Sequence, residues 1–261
     1  MCTADVNVRA SCVGVDVPAE LIFGLHSVRA LLQKDPAGVL ELWIQTTRCD
    51  AAVTEIREQA LRFDLTAQDA SRKTLDRLSK GETHQGVVVK YRRNAAQRIT
   101  LESFTATLDS DSLVLALDGV QDPRNLGACL RSADGAGAAG IVISHNRSVT
   151  LTSTARKVAS GAAELVPLVE VSNLVRSLES LKQTGLPVVG ASGDAEHSLY
   201  DLDLSGGVVF VMGGEGTGLR RLTRESCDEL VRIPMHGSVE SLNISVAAAL
   251  CLFEARRQRS G

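Results

Sequence analysis

The spacing of apolar residues changes period several times along this chain, and each change marks an element. After Gly24 the stretch Leu21 to Gln33 has apolar residues at helical spacing. An apolar run from Val39 to Ile44, a helix-like Ala51 to Phe63, a polar basic helix around Leu75 and a strand from Gly86 to Val89 follow. Residues 1–20 have no clear period and read as a mobile tail, so 21–93 is expected to form a small α/β unit. From 94 to 111 the pattern weakens and small polar residues accumulate, which predicts a linker with one short helical turn.

From residue 112 onward the alternation resumes on a larger scale. Apolar runs at Leu113 to Leu117, Ile141 to Ile143, Val188 to Val189, Val208 to Met212 and Leu230 to Ile233 predict strands. Helical patterns lie between and after them, at Leu126 to Ala136, Ala155 to Ala163, Val171 to Lys182 and Ile244 to Glu254. Strands that are apolar throughout, alternating with helices, imply an α/β fold with a mainly parallel sheet covered on both faces. In such sheets ligands bind at the carboxyl ends of the strands.

Composition narrows the function classes. With 1 Trp, 2 Tyr and 5 Phe in 261 residues, the core must rest on aliphatic side chains. The net charge of -3 argues against a protein that coats nucleic acid non-specifically. One basic stretch stands out, with Arg72, Lys73, Arg77, Lys80, Lys90, Arg92, Arg93 and Arg98 against only Asp76 and Glu82; it reads either as a solvated face or as a local anion-binding patch. The cysteines Cys2, Cys12, Cys49, Cys129, Cys227 and Cys251 show no metal-ligand spacing, so neither a metal site nor a disulfide framework is expected. No apolar run has signal-peptide or membrane-spanning length, and a reduced cytoplasmic enzyme is the expectation.

Three segments at strand ends carry more than packing requires. In the first, Asp122, Pro123 and Asn125 supply turn chemistry at a helix start, with Asn125 a natural N-cap and Arg131 further along the helix, facing roughly the same end of the sheet. Capping and a surface ion pair remain adequate readings of these two residues taken alone. In the second, Gly213, Gly214, Gly216 and Gly218 surround Glu215 and Thr217, so that backbone could approach a ligand closely after a strand. The order of glycines is not the dinucleotide fingerprint, no acidic residue ends the following strand, and the Gly-Lys-Ser/Thr of a phosphate loop is missing. A carboxylate at Glu215 would repel phosphate but suits a cationic or hydroxyl-bearing ligand. The third segment, Ile233 to Asn243, is a polar loop in front of an apolar helix that Ser241 or Asn243 could cap.

Together DGVQDPRNLGACLRSAD, RKVASGAAELVPL, VMGGEGTGLRRLTRESCDELVRIPM and SLNISVAAALCLFEARRQR resemble the motifs of the SpoU (TrmH) branch of the SPOUT RNA methyltransferases, over nearly all of 113–257. Within that branch the likeness is to the bacterial enzymes that methylate a guanosine ribose in the peptidyl-transferase loop of 23S rRNA. Residues 21–32, and 81–89 with His84, Gln85 and Gly86, resemble the L30e-like substrate-binding domain of those enzymes. The resemblance implies a deep trefoil knot in a domain spanning 112–261, a homodimer with the site near the subunit interface, and no membrane or metal partner.

The resemblance also assigns residues. S-adenosyl-L-methionine would be surrounded by Ala191, Met212, Gly213, Gly214, Gly218, Ile233, Met235 and Leu242, with Arg131, Asn125, Glu215, Ser241 and Asn243 catalytic. His84, Gln85, Arg92 and Arg93 become candidates for RNA contact, and the Arg256 to Arg259 run a favourable helix C-terminus. Two alternatives stay open: a tRNA ribose methyltransferase of the same fold, which the N-terminal unit disfavours, and a non-catalytic RNA-binding module, which would be expected to have lost the motif residues retained here.

Overall fold

The computed structural model describes residues 18–92, 99–145 and 148–259. The first unit is a four-stranded sheet in the order β1-β4-β2-β3, formed by Glu20–Phe23 (β1), Val39–Gln45 (β2), Ala67–Ala70 (β3) and Val87–Tyr91 (β4). Helices Leu25–Lys34 (α1), Ala51–Leu61 (α2) and Arg72–Leu78 (α3) accompany it. β4 runs antiparallel to both β1 and β2, whereas β2 and β3 are parallel.

The second unit is a seven-stranded, all-parallel sheet in the order β7-β6-β5-β10-β8-β11-β9. Its strands are Leu113–Asp118 (β5), Gly140–Ser144 (β6), Leu168–Val171 (β7), Val188–Ala191 (β8), His197–Ser198 (β9), Val208–Gly213 (β10) and Glu229–Arg232 (β11). Leu101–Thr105 (α4) precedes the sheet; Pro123–Gly135 (α5), Ser153–Ala159 (α6), Ala162–Leu165 (α7), Leu174–Lys182 (α8), Arg221–Glu225 (α9) and Ile244–Arg259 (α10) connect or follow its strands. Leu113, Leu115, Leu117, Phe210 and Met212 turn to the core shared with α5, α6, α7 and α10; Val114, Ala116, Val209 and Val211 turn to the core shared with α4 and α8. Both pleat faces are therefore dry, which is why these strands read as unbroken apolar runs.

Several boundaries differ from the sequence expectation. Leu21 to Phe23, grouped with the helix, is strand β1, and Gly24 at φ 97° makes the turn into α1. Glu20, assigned to the tail, already belongs to β1; the rest of that tail, through residue 17, lies outside the described residues. In the expected linker, 94–98 are outside the described residues, as is residue 93 before it, and the remainder holds α4. Phe104 of α4 is buried, and any side chain at Gly140 would collide with its ring, so α4 belongs to the second unit's core. The helix expected over Ala155 to Ala163 breaks at Ser160 (φ 50°) and Gly161 (φ 96°).

The basic end of α10 does more than complement the helix dipole. Arg259 donates from Nε to the Leu204 carbonyl and from its guanidinium to those of Asp111 and Gly206. Arg256 reaches the carbonyl of Ala136 just after α5, and Gln258 bonds both Leu202 and Leu204. The last turn thus ties α10 to three loops.

Candidate active site at the strand ends

β5, β10, β8 and β11 are consecutive in the sheet, and their register sets Asp118 level with Gly213, and Ala191 level with Met212 and Val231. All four carboxyl ends therefore open on one rim. Asp118, which the sequence reading passed over, is buried there. Its Oδ2 accepts the Arg220 amide at 3.2 Å, and Oδ1 lies 3.3 Å from Arg220 Nη1, so the end of β5 anchors the exit of the glycine loop. A charged residue closing an otherwise apolar strand was the available signal.

The loop itself is closed by a bridge between Gly214 and Gly218. A Cβ on Gly213 would sit 2.0 Å from the carbonyl carbon of Gly218, so this glycine first serves the loop's own closure. Gly216 and Gly218 have φ of 72° and 61°, and no atom lies within 4 Å of where their side chains would be, which leaves their backbone open.

Glu215 is exposed in this loop, and its Oε1 accepts from Asn125 Nδ2. Asn125 Oδ1 accepts in turn from Asn243 Nδ2 at 3.1 Å, and Asn243 Oδ1 accepts from the Ser245 amide at 2.9 Å. Donor and acceptor order is forced from both ends. An ionised carboxylate can only accept and a backbone amide can only donate, so both asparagines have one orientation each. Three segments distant in sequence meet in this chain: the start of α5, the glycine loop and the start of α10.

The cap of α5 is not Asn125. Asp122 holds that position, accepting the Arg124 amide at 2.7 Å, with Pro123 following as the first helical residue. Asn125 is thereby freed from capping and, buried at 8% exposure, turns its amide to Glu215 and Asn243. Asn243 does cap α10 while serving the network. Arg131 is exposed and forms no hydrogen bond or ion pair with a described residue. Six residues of helix turn the chain through about 600°, which places Arg131 roughly 120° around α5 from Asn125.

Of the expected cofactor wall, Ala191, Gly213, Gly214, Ile233 and Leu242 are half-buried, Met212 is buried, and Gly218 and Met235 are exposed. Ser241 is exposed in the loop before α10. Apolar side chains, open backbone and a carboxylate fit a ligand with a flat base and a cationic end better than a phosphate.

In the first unit His84 is buried, its Nδ1 accepting the Gly86 amide at 3.0 Å and its Nε2 at 3.0 Å from Asp76 Oδ1. Both ring nitrogens are engaged in holding the turn. Gln85, at φ 51°, is exposed and accepts the Leu25 amide through Oε1. Arg72, Lys73, Arg77, Lys80 and Arg92 are exposed, Lys90 pairs with Glu41, and Arg93 lies outside the described residues. Among the described residues no cluster of three or more metal-ligating side chains occurs, and no helix is long and apolar enough to cross a membrane.

Residues 112–253 match the model of the SpoU rRNA Methylase family. The chain belongs to that family. Residues 21–95 match a second model, RNA 2'-O ribose methyltransferase substrate binding. The 23S rRNA (guanosine-2'-O-)-methyltransferase RlmB of Pseudomonas aeruginosa is 49% identical over 92% of this chain and 97% of its own length. A crystal structure of an RNA 2'-O ribose methyltransferase superposes with a TM-score of 0.76 at 30% identity, covering 93% of this chain and 90% of that one. The SpoU methyltransferase AviRb from Streptomyces viridochromogenes, in complex with the cofactor AdoMet, superposes with a TM-score of 0.74 at 26% identity, over 93% and 91% of the two chains.

SpoU-family membership makes this protein an S-adenosylmethionine-dependent RNA methyltransferase, and the glycine loop gives a direct check on where the cofactor sits. Gly213→Ala forces a methyl group into the Gly218 backbone, an overpacking of about 1–3 kcal/mol that the loop relieves by opening. S-adenosylmethionine binding measured by titration calorimetry is expected to weaken about tenfold or more; unchanged affinity would remove this loop from the cofactor wall.

Proposed function

We propose that this protein methylates the ribose 2'-hydroxyl of a guanosine in 23S rRNA, in the peptidyl-transferase loop. The observation that carries the reading is the Glu215–Asn125–Asn243 network at the strand ends, in a chain 49% identical to an enzyme named for that reaction. The match of 21–95 to a substrate-binding model favours it over a tRNA methyltransferase built from the catalytic unit alone. In this reading 21–93 is an L30e-like substrate domain, 94–111 joins it to the methyltransferase domain, the latter carries a trefoil knot, and the working enzyme is a homodimer.

Bound S-adenosylmethionine supplies an electrophilic methyl group. The chain's own task is to align a weak nucleophile with it and ease loss of the proton. The backbone at Gly213, Gly214 and Gly218, with Ala191, Met212, Ile233, Met235 and Leu242, would hold the cofactor, and Ser241 would complete that wall. Asn125 fixes one oxygen of Glu215, leaving Oε2 to accept a ribose hydroxyl. The Arg131 guanidinium acts as a positive charge beside the developing alkoxide and the neighbouring phosphate, and the proton leaves to phosphate or water. Exposed Gln85, Arg92 and the α3 cations meet the RNA together with Arg93, while His84 supports their turn.

Mapping ribose methylation on 23S rRNA from cells lacking the protein tests the assignment. One guanosine in the peptidyl-transferase loop is expected to lose its 2'-O-methyl group; a map identical to that of the parent cells sinks the rRNA reading.

A further inference from the structure

Between the two units lies a set of contacts that no part of the active site uses. Arg156, on α6 of the second unit, donates through Nη2 to both carboxylate oxygens of Glu20 on β1 of the first, at 3.2 and 3.0 Å, and through Nη1 to Glu164. The Arg156 side chain is 12% exposed and that of Glu164 only 2%, so the guanidinium is fixed from within the second unit, while Glu20, at 42%, meets it from the rim of the first. Around it Ser153 Oγ donates to Glu82, Lys157 Nζ to Thr83 Oγ1, and Lys34 Nζ to the Leu165 carbonyl. Gly161, between α6 and α7, lies so close to the His26 carbonyl that a Cβ would stand 2.9 Å from it.

The other side of α6 meets the helix that carries Asn125. A Cβ on Gly127 would stand 2.4 Å from the Ala155 carbonyl oxygen and 2.8 Å from Val158 Cβ, so α5 and α6 touch with no side chain between them at that point. Ala155 precedes Arg156, and Gly127 is two residues from Asn125. A close-packed contact of this kind passes displacement on, because it has no slack to absorb it.

We propose that Arg156 is a positioning residue that clamps the substrate domain, through Glu20, onto α6, and through α6 sets the place of α5 and hence of Asn125. Seating of the RNA-bearing unit is then coupled to the geometry of the catalytic network. This inference rests on the proposed division into a substrate unit and a catalytic unit.

Glu20→Gln tests it in the full-length protein, since the variant loosens the clamp and leaves the buried Arg156–Glu164 pair in place. Amide hydrogen exchange is expected to speed up about tenfold in α6 and in the first turns of α5, with β2 and β4 unchanged. Turnover on 23S rRNA is expected to fall about fivefold at unchanged KM, with S-adenosylmethionine affinity retained, the signature of a lost positioning effect. Unchanged exchange in α5 overturns the coupling, and so does faster exchange with undiminished turnover. A wrong substrate assignment shows itself differently: the unmodified protein then fails to methylate 23S rRNA, while the exchange comparison still reads the clamp.

Discussion

Asn125→Asp lowers methyl transfer by about 100-fold or more at pH 8, the scale expected when a pre-set polar group at a reacting centre is lost. The substitution keeps size and shape but replaces the Nδ2 donor that faces Glu215 with a second carboxylate oxygen. Two carboxylates at hydrogen-bond range cannot both ionise at low cost, so one is driven to hold a proton at a pH above the usual range. The expected sign follows. As pH falls through that raised value, one carboxylate takes up a proton, the bond to Glu215 reforms, and activity recovers in part, whereas the parent enzyme gains nothing from acidification. Asn125→Ala removes both bonds without adding charge and should be nearly as inactive at pH 8 but flat with pH. A pH–rate profile of the two variants checks this, with S-adenosylmethionine affinity measured alongside. If Asn125→Asp works at near-normal rate at pH 8, the hydrogen bond from Asn125 to Glu215 has no catalytic part.

How much of this was readable in advance depended on where each element lies in its sheet. β2, β4, β5, β6, β8, β10 and β11 are interior strands, flanked on both sides, and each has an apolar run that the hydrophobic pattern detected. The strands it missed, β1, β3, β7 and β9, are the four sheet edges. An edge strand needs a partner on one side only and can be short and polar, as Ala67–Ala70 and His197–Ser198 are. The same limit applied to the site. Asn125, Glu215 and Asn243 were visible as polar residues beside strand ends, and the structure brings them together. Asp118 stood at the very end of an apolar run and was passed over, and the break at Ser160 lay inside a helical pattern. The cap of α5 was misplaced because Asp122 and Asn125 are both good caps, and only tertiary demand on Asn125 decides between them. Arg131 was placed on the helix that carries it, α5.

Arg156→Met is expected to cost about 3–5 kcal/mol of stability, because it removes the cation paired with a carboxylate that is nearly inaccessible to water. Glu20 at 42% exposure can recover hydration when it loses Arg156, but Glu164 at 2% cannot. At about 2–4 °C per kcal/mol for a unit of this size, the thermal midpoint should fall by roughly 6–20 °C. The second half of the test separates the worth of the pair from the penalty of breaking it. In Arg156→Met/Glu164→Leu both charges are gone and similar volumes remain, so the desolvation cost of the pair disappears together with its attraction, and the midpoint should return close to that of the parent. Thermal unfolding followed by circular dichroism reads both variants. A single variant within about 2 °C of the parent would show that water reaches Glu164. A double variant no better than the single one would mean that the damage lies in lost packing and not in an orphaned charge. Methyl transfer by the double variant adds a further reading. Because it restores the fold without restoring the link to Glu20, it should remain slow on rRNA, and a stable but poorly coupled enzyme is what distinguishes a clamp from a buried pair that only holds the second unit together.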